Sequence, residues 1–96
     1  MSHMLAVRIA LSDAEKQNER NQYLGEHKRH LRETPLNIIL SGPVLDTRGR
    51  QIGGMVLAEV DALEDIEKFS DADPFIIHKV YNDVIVGQWA VTIDNR

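Results

Sequence analysis

Hydrophobic spacing along this chain of 96 residues switches between a period of two and a period of three to four. The order of the switches is strand, helix, strand, strand, helix, strand, and few architectures accept it. Met4–Leu11 is apolar except for Arg8. There Leu5, Val7, Ile9 and Leu11 alternate with Ala6, Arg8 and Ala10, the pattern of a strand with one well-buried face. Ser12 reads as a helix N-cap, and Glu15 completes a capping box. In the segment that follows, Asp13–Glu33, Leu24 and Leu31 share a helical face with His27 between them, while His30 points toward solvent. Pro35 stops this helix, because the residue before a proline avoids the helical region.

Leu36–Leu45 is the second strand, with Ile38 and Leu40 on one face. Its Gly42–Pro43 step removes a ladder hydrogen bond and predicts an edge strand or a bulge. Asp46–Arg50 has turn composition and joins it to a third strand, Gln51–Val60, as a hairpin. Asp61, with Glu64 three residues on, reads as the cap of a second helix over Ala62–Ser70, buried through Leu63, Ile66 and Phe69. A short helical turn fits Phe75–Val80, and Val84–Ile93 alternates as the last strand.

This order predicts a ferredoxin-like βαββαβ fold, a four-stranded antiparallel sheet with both helices on one face. The second, third and last strands carry apolar residues on both faces, so the uncovered face is too apolar to be left to water. Two copies packing these faces together would solve this, and a homodimer is expected. Residues 4–96 make one domain. Met1–His3 reads as an expression scar ahead of Met4.

A net charge of −4 argues against a nucleic-acid or anionic-membrane binder. With no cysteine, disulfides, thiolate catalysis and cysteine-ligated metals are excluded. No signal peptide or spanning segment is visible, so the cytoplasm is the expected compartment.

Two residues carry a possible chemistry. His27 is either a border histidine bonded to a carbonyl or a general acid/base, since imidazole titrates near neutral pH. Asp73, in Asp71–Ala72–Asp73–Pro74–Phe75, is either a turn aspartate or a carboxylate that orients a histidine and stabilises its protonated form. Both lie on the helical layer, and direct pairing requires them to come within about 6 Å. Ser41–Gly42–Pro43 offers a hydroxyl and an approachable backbone, or simply a bulge. A metal site would rest on His27, His30 and carboxylates, a thin basis, and none is expected.

Several runs together resemble the YCII-related (YciI-like) family over nearly the whole chain from Met4. They are Tyr23–Leu24–Gly25–Glu26–His27, Leu40–Ser41–Gly42–Pro43, the glycine-bearing strand, Asp71–Ala72–Asp73–Pro74–Phe75 and Val84–Ile85–Val86–Gly87–Gln88–Trp89. The resemblance implies a dimeric α/β barrel of ferredoxin-like protomers, with a histidine–aspartate pair lining a small cleft. The family's histidine falls on His27, its aspartate on Asp73 and its Ser-Gly-Pro step on Ser41, Gly42 and Pro43. Ser41, Gly42, Pro43 and Phe75 are then the expected ligand contacts. Implied too is a cofactor-free proton transfer or elimination, of lyase or isomerase type, on a small cyclic or aromatic oxygenated compound. One position departs: relatives carry an arginine three residues before the histidine, where this chain has Leu24, and Arg20 is the nearest arginine upstream. That departure keeps a second expectation open, a non-catalytic dimeric module that binds a small metabolite or a protein partner.

Overall fold

The computed structural model describes residues 3–96, so the first two residues of the expected scar lie outside the described residues. Strand β1 (Met4–Ser12) is followed by a 3₁₀ turn (Ala14–Lys16) and helix α1 (Gln17–Glu33). Strands β2 (Asn37–Leu45) and β3 (Gln51–Val60) form the hairpin. Helices α2 (Leu63–Asp71) and α3 (Pro74–Ile77) lead to β4 (Tyr81–Gln88). The sheet order is β2-β3-β1-β4, antiparallel throughout, with the helices over one face: the ferredoxin-like fold. No helix among the described residues is long and apolar enough to cross a membrane.

On β1 the well-buried face carries the small residues Ala6 and Ala10, with Arg8 between them. Small side chains let the helices approach the sheet. Ala6, Val56, Ala58, Val60, Ile66 and Phe69 form one cluster, and Ala10, Phe75, Val80 and Tyr81 form a second. Each large side chain buried there contributes about 1.5–3 kcal/mol relative to exposure. Leu31 packs on the first cluster and Leu24 on the second, which puts the intervening turn of α1 over the junction between them.

Leu5, Val7, Ile9 and Leu11 face the other way, in register with Leu57, Met55 and Ile85. Among the described residues no helix covers that side, and Leu40 and Ile85 are 66% and 62% exposed.

Four local expectations are corrected. The first helical turn is capped by Asp13, whose side chain accepts from Glu15 N; Ser12 stays in β1 because it pairs with Tyr81. The N-cap of α2 is Ala62, without a side-chain bond, and Asp61 instead lies 2.8 Å from His3. Strand β4 ends at Gln88, not Ile93: its ladder with β1 stops at the Ala6–Gln88 pair, and Trp89 N donates one last bond to Leu5 O. Ile38 and Leu40 lie on opposite faces, since the β2–β3 register shifts between them and leaves Ile39 as the extra residue. That shift turns Ser41 and Pro43 toward the helical layer, opposite Val56 and Gly54.

Candidate active site

Asp73 is placed by local chemistry. Pro74 holds the residue before it extended (φ −68°, ψ 125°), the backbone an N-cap requires, and Pro74 itself occupies the first position of α3. Asp73 Oδ1 accepts from Phe75 N at 2.9 Å. The same oxygen lies 2.7 Å from His27 Nδ1, across 46 residues of sequence. Oδ2 accepts from Arg8 Nη1 at 2.7 Å. The Arg8 and Asp73 side chains are 1% and 0% exposed. The carboxylate is therefore held from three sides by donors on β1, α1 and its own turn.

These contacts set its ionisation. Burial pushes the Asp73 pKa up, but the His27 hydrogen bond, the Arg8 and His27 charges and the Phe75 amide outweigh it, and the pKa lies below the ordinary value. An ionised carboxylate only accepts, so Nδ1 of His27 carries a proton and donates. In the neutral imidazole Nε2 then keeps its lone pair. The ring is fixed from below by Phe75, parallel at 3.9 Å, and edge-on by Tyr81 at 5.9 Å.

His27 opens on a cavity of about 360 Å³ between α1 and the β2–β3 hairpin. Ser41, Gly42 and Pro43 line it, as do Arg8, Arg20, Leu24, Lys28 and Tyr81. Phe75 does not: it is fully buried and serves as the shelf under His27. Asp73 is likewise behind the wall, reaching the cavity only through its partners. A methyl group added at Gly54 would meet the Tyr81 hydroxyl at 2.5 Å, so the missing side chain makes room for the phenol. Burial pushes the Tyr81 phenol up; Asp73 adds to this while Arg8 and Arg20 oppose it. It stays protonated and can donate.

Arg8 and Tyr81 were not singled out by sequence. The signal for Arg8 was there, a lone charge inside an apolar strand. Arg20 reaches the cavity from two turns before His27, with Nη1 donating to Ser12 Oγ at 3.0 Å and the guanidinium 5.2 Å over Phe75. His30 is not solvent-facing. Its Nε2 lies 2.8 Å from the Phe69 carbonyl, which accepts, and its ring stacks on Phe69. His78 stacks on Tyr23 at 3.5 Å. A larger hollow, about 760 Å³, lies on the far side of α1 and is lined by Glu33, Glu59, Asp61 and Asp65. It holds no buried acid–base pair. Among the described residues no group of three or more histidines and carboxylates is arranged to hold a metal ion.

A family model for the YCII-related domain matches residues 4–90. No curated protein sequence matches the chain. Among solved structures, this chain is similar to the 5-chloro-2-hydroxyhydroquinone dehydrochlorinase from Burkholderia phenoliruptrix, determined as a complex with 2,5-dihydroxybenzoquinone. The identity is 20% and the TM-score 0.78, over 91% of this chain and 94% of that one. It is also similar to a dimeric ferredoxin-like protein of unknown function from Thermobifida fusca, at 15% identity and a TM-score of 0.55, over 93% and 91% of the two chains. At these identities the likeness speaks for the fold.

Proposed function

We propose that this chain, which belongs to the YCII-related family, is a cofactor-free enzyme of lyase or isomerase type acting on a small oxygenated ring compound. The observation that carries this is the buried His27–Asp73 pair at the cavity wall, which leaves one imidazole nitrogen, Nε2, for an occupant. In this scheme Nε2 takes a proton from a carbon next to an electron-withdrawing carbonyl. The electron pair left behind either expels a halide or hydroxyl from the adjacent carbon or is reprotonated elsewhere on the ring. A departing hydroxyl leaves as water with the proton from His27; a halide leaves as the anion. Asp73 holds the Nδ1–H tautomer and stabilises the imidazolium, and the Tyr81 phenol donates to the oxygen that gains charge. The dehydrochlorinase with the same fold supports an elimination.

The protomer is proposed to work as a homodimer, closed over the apolar side of the sheet. Support comes from the exposure of Leu40 and Ile85 there and from the dimeric neighbour. A second reading, a non-catalytic module binding a metabolite or a protein partner, is favoured by one observation: Leu24 stands where the family arginine is expected.

The test is a screen of the purified protein against halogenated and hydroxylated aromatics and lactones, beside His27→Gln and Asp73→Asn. A general base contributes about 10²–10⁴-fold, so His27→Gln should lose activity on that scale with its fold retained. Turnover that survives unchanged in His27→Gln sinks the proposal. Binding without turnover across the screen selects the second reading.

A further inference from the structure

We infer that the cavity takes an anion: a small organic oxyanion, a phenolate, enolate or carboxylate, seated between His27 and the cationic side chains Arg8, Arg20 and Lys28. The inference rests on the reading of this cleft as a proton-transfer site and adds the charge class of its substrate.

The chain as a whole is acidic, at −4, yet no aspartate or glutamate lines this cavity. Three cations line it, and the one carboxylate in contact with them, Asp73, is sealed behind Arg8 and His27. Neither Arg20 nor Lys28 is paired with a carboxylate among the described residues. Arg20 spends its known contacts on a hydroxyl and an aromatic face. The local balance is therefore positive: Asp73 offsets Arg8, while Arg20 and Lys28 have no carboxylate partner among the described residues.

Arg8 supplies the second observation. It is 1% exposed, its Nη1 is committed to Asp73, and its Nε has no hydrogen-bond partner. A guanidinium carries its charge over a rigid planar fork, and since Nε is itself closed off from the cavity, Arg8 acts on an occupant through that charge at the wall. The fork cannot swing away, because Phe69 and Tyr81 flank it at 5.2 and 5.4 Å. A fixed positive charge at the wall favours an anion in front of it over a neutral occupant. At about 360 Å³ the cavity has room for one substituted ring.

The charge also suits the chemistry. Taking a proton from an anion creates a second negative charge, and cations facing it lower that barrier. The positive groups here come from β1 and from α1, so the cavity is cationic although position 24 is leucine.

The test is equilibrium binding by calorimetry at about pH 8, where phenols of this kind and carboxylic acids are ionised. Matched probes are 2,5-dihydroxybenzoquinone against its dimethyl ether, 4-nitrophenolate against 4-nitroanisole, and benzoate against methyl benzoate. The expected result is at least about a tenfold preference for the anion in the pairs that bind. Arg20→Met should remove most of that preference without weakening the neutral member, and Arg8→Met should remove more if it folds. Neutral members bound as tightly as the anions, no anion bound at millimolar concentration, or an unchanged preference in Arg20→Met would overturn the inference. His27→Gln separates it from the reading beneath: this variant should lose turnover and keep the anion. Anion preference without turnover leaves the charge class standing alone, whereas turnover of neutral compounds alone leaves only the proton transfer.

Discussion

Arg8 Nη1 on β1 lies 2.7 Å from Asp73 Oδ2 in the turn before α3, and both side chains are withdrawn from water. The pair ties the middle of the sheet to the helical layer. It also gives Asp73 the compensating charge it needs to stay ionised behind His27. Asp73 thus caps α3, anchors Arg8 and orients an imidazole with two oxygens.

Breaking that pair from one side leaves a buried charge without its partner. Arg8→Met is expected to cost about 3–5 kcal/mol of folding stability. Adding Asp73→Asn to it should recover part of the loss, because the uncompensated charge is then gone. Urea unfolding of the single and double variants measures both effects. A double variant no more stable than Arg8→Met would contradict the charge argument.

Acid should weaken the fold through Asp73. Its pKa is lowered in the native state, so its contribution is fully present above the unfolded value, about 3.9, and is lost as pH falls through the lower native value. Stability measured from about pH 6 downward should decline below about pH 4. In Asp73→Asn that decline should be shallower. Superimposable acid limbs would show that Asp73 is not the linked group.

Gly54→Ala and Gly25→Ala should move stability in opposite directions. At Gly54 the new methyl meets the Tyr81 hydroxyl at 2.5 Å and displaces the phenol, for about 1–3 kcal/mol of destabilisation. Gly25 lies within α1, exposed, with nothing within 4 Å of an added methyl. There alanine should stabilise by about 0.5–1 kcal/mol. Thermal melts of the two variants test the contrast.

The uncovered sheet face carries the dimer expectation. Ile85 sits beside Ile9 on that face and is 62% exposed. Sedimentation at micromolar concentration should give a dimer for the native chain and a monomer for Ile85→Glu. A monomeric native chain would leave this face without its proposed cover.

The sequence by itself determined the fold order, because periodicity is a local property that twelve residues display without help from the rest. It also determined the backbone at Asp73, since proline restricts the residue before it and makes an N-cap there. His27 could be placed between two leucines, and so at the border of the core. The contacts were a different matter. Spacing carries no record of which residues 46 or 65 positions apart will meet, so the His27–Asp73–Arg8 cluster exists only once α1 lies across the sheet. The side of β2 that Ser41 faces was decided by one extra residue at Ile39, and the end of β4 by where its ladder with β1 stops. Both depend on pairing between strands, and a single residue's slip in pairing reverses every side chain beyond it.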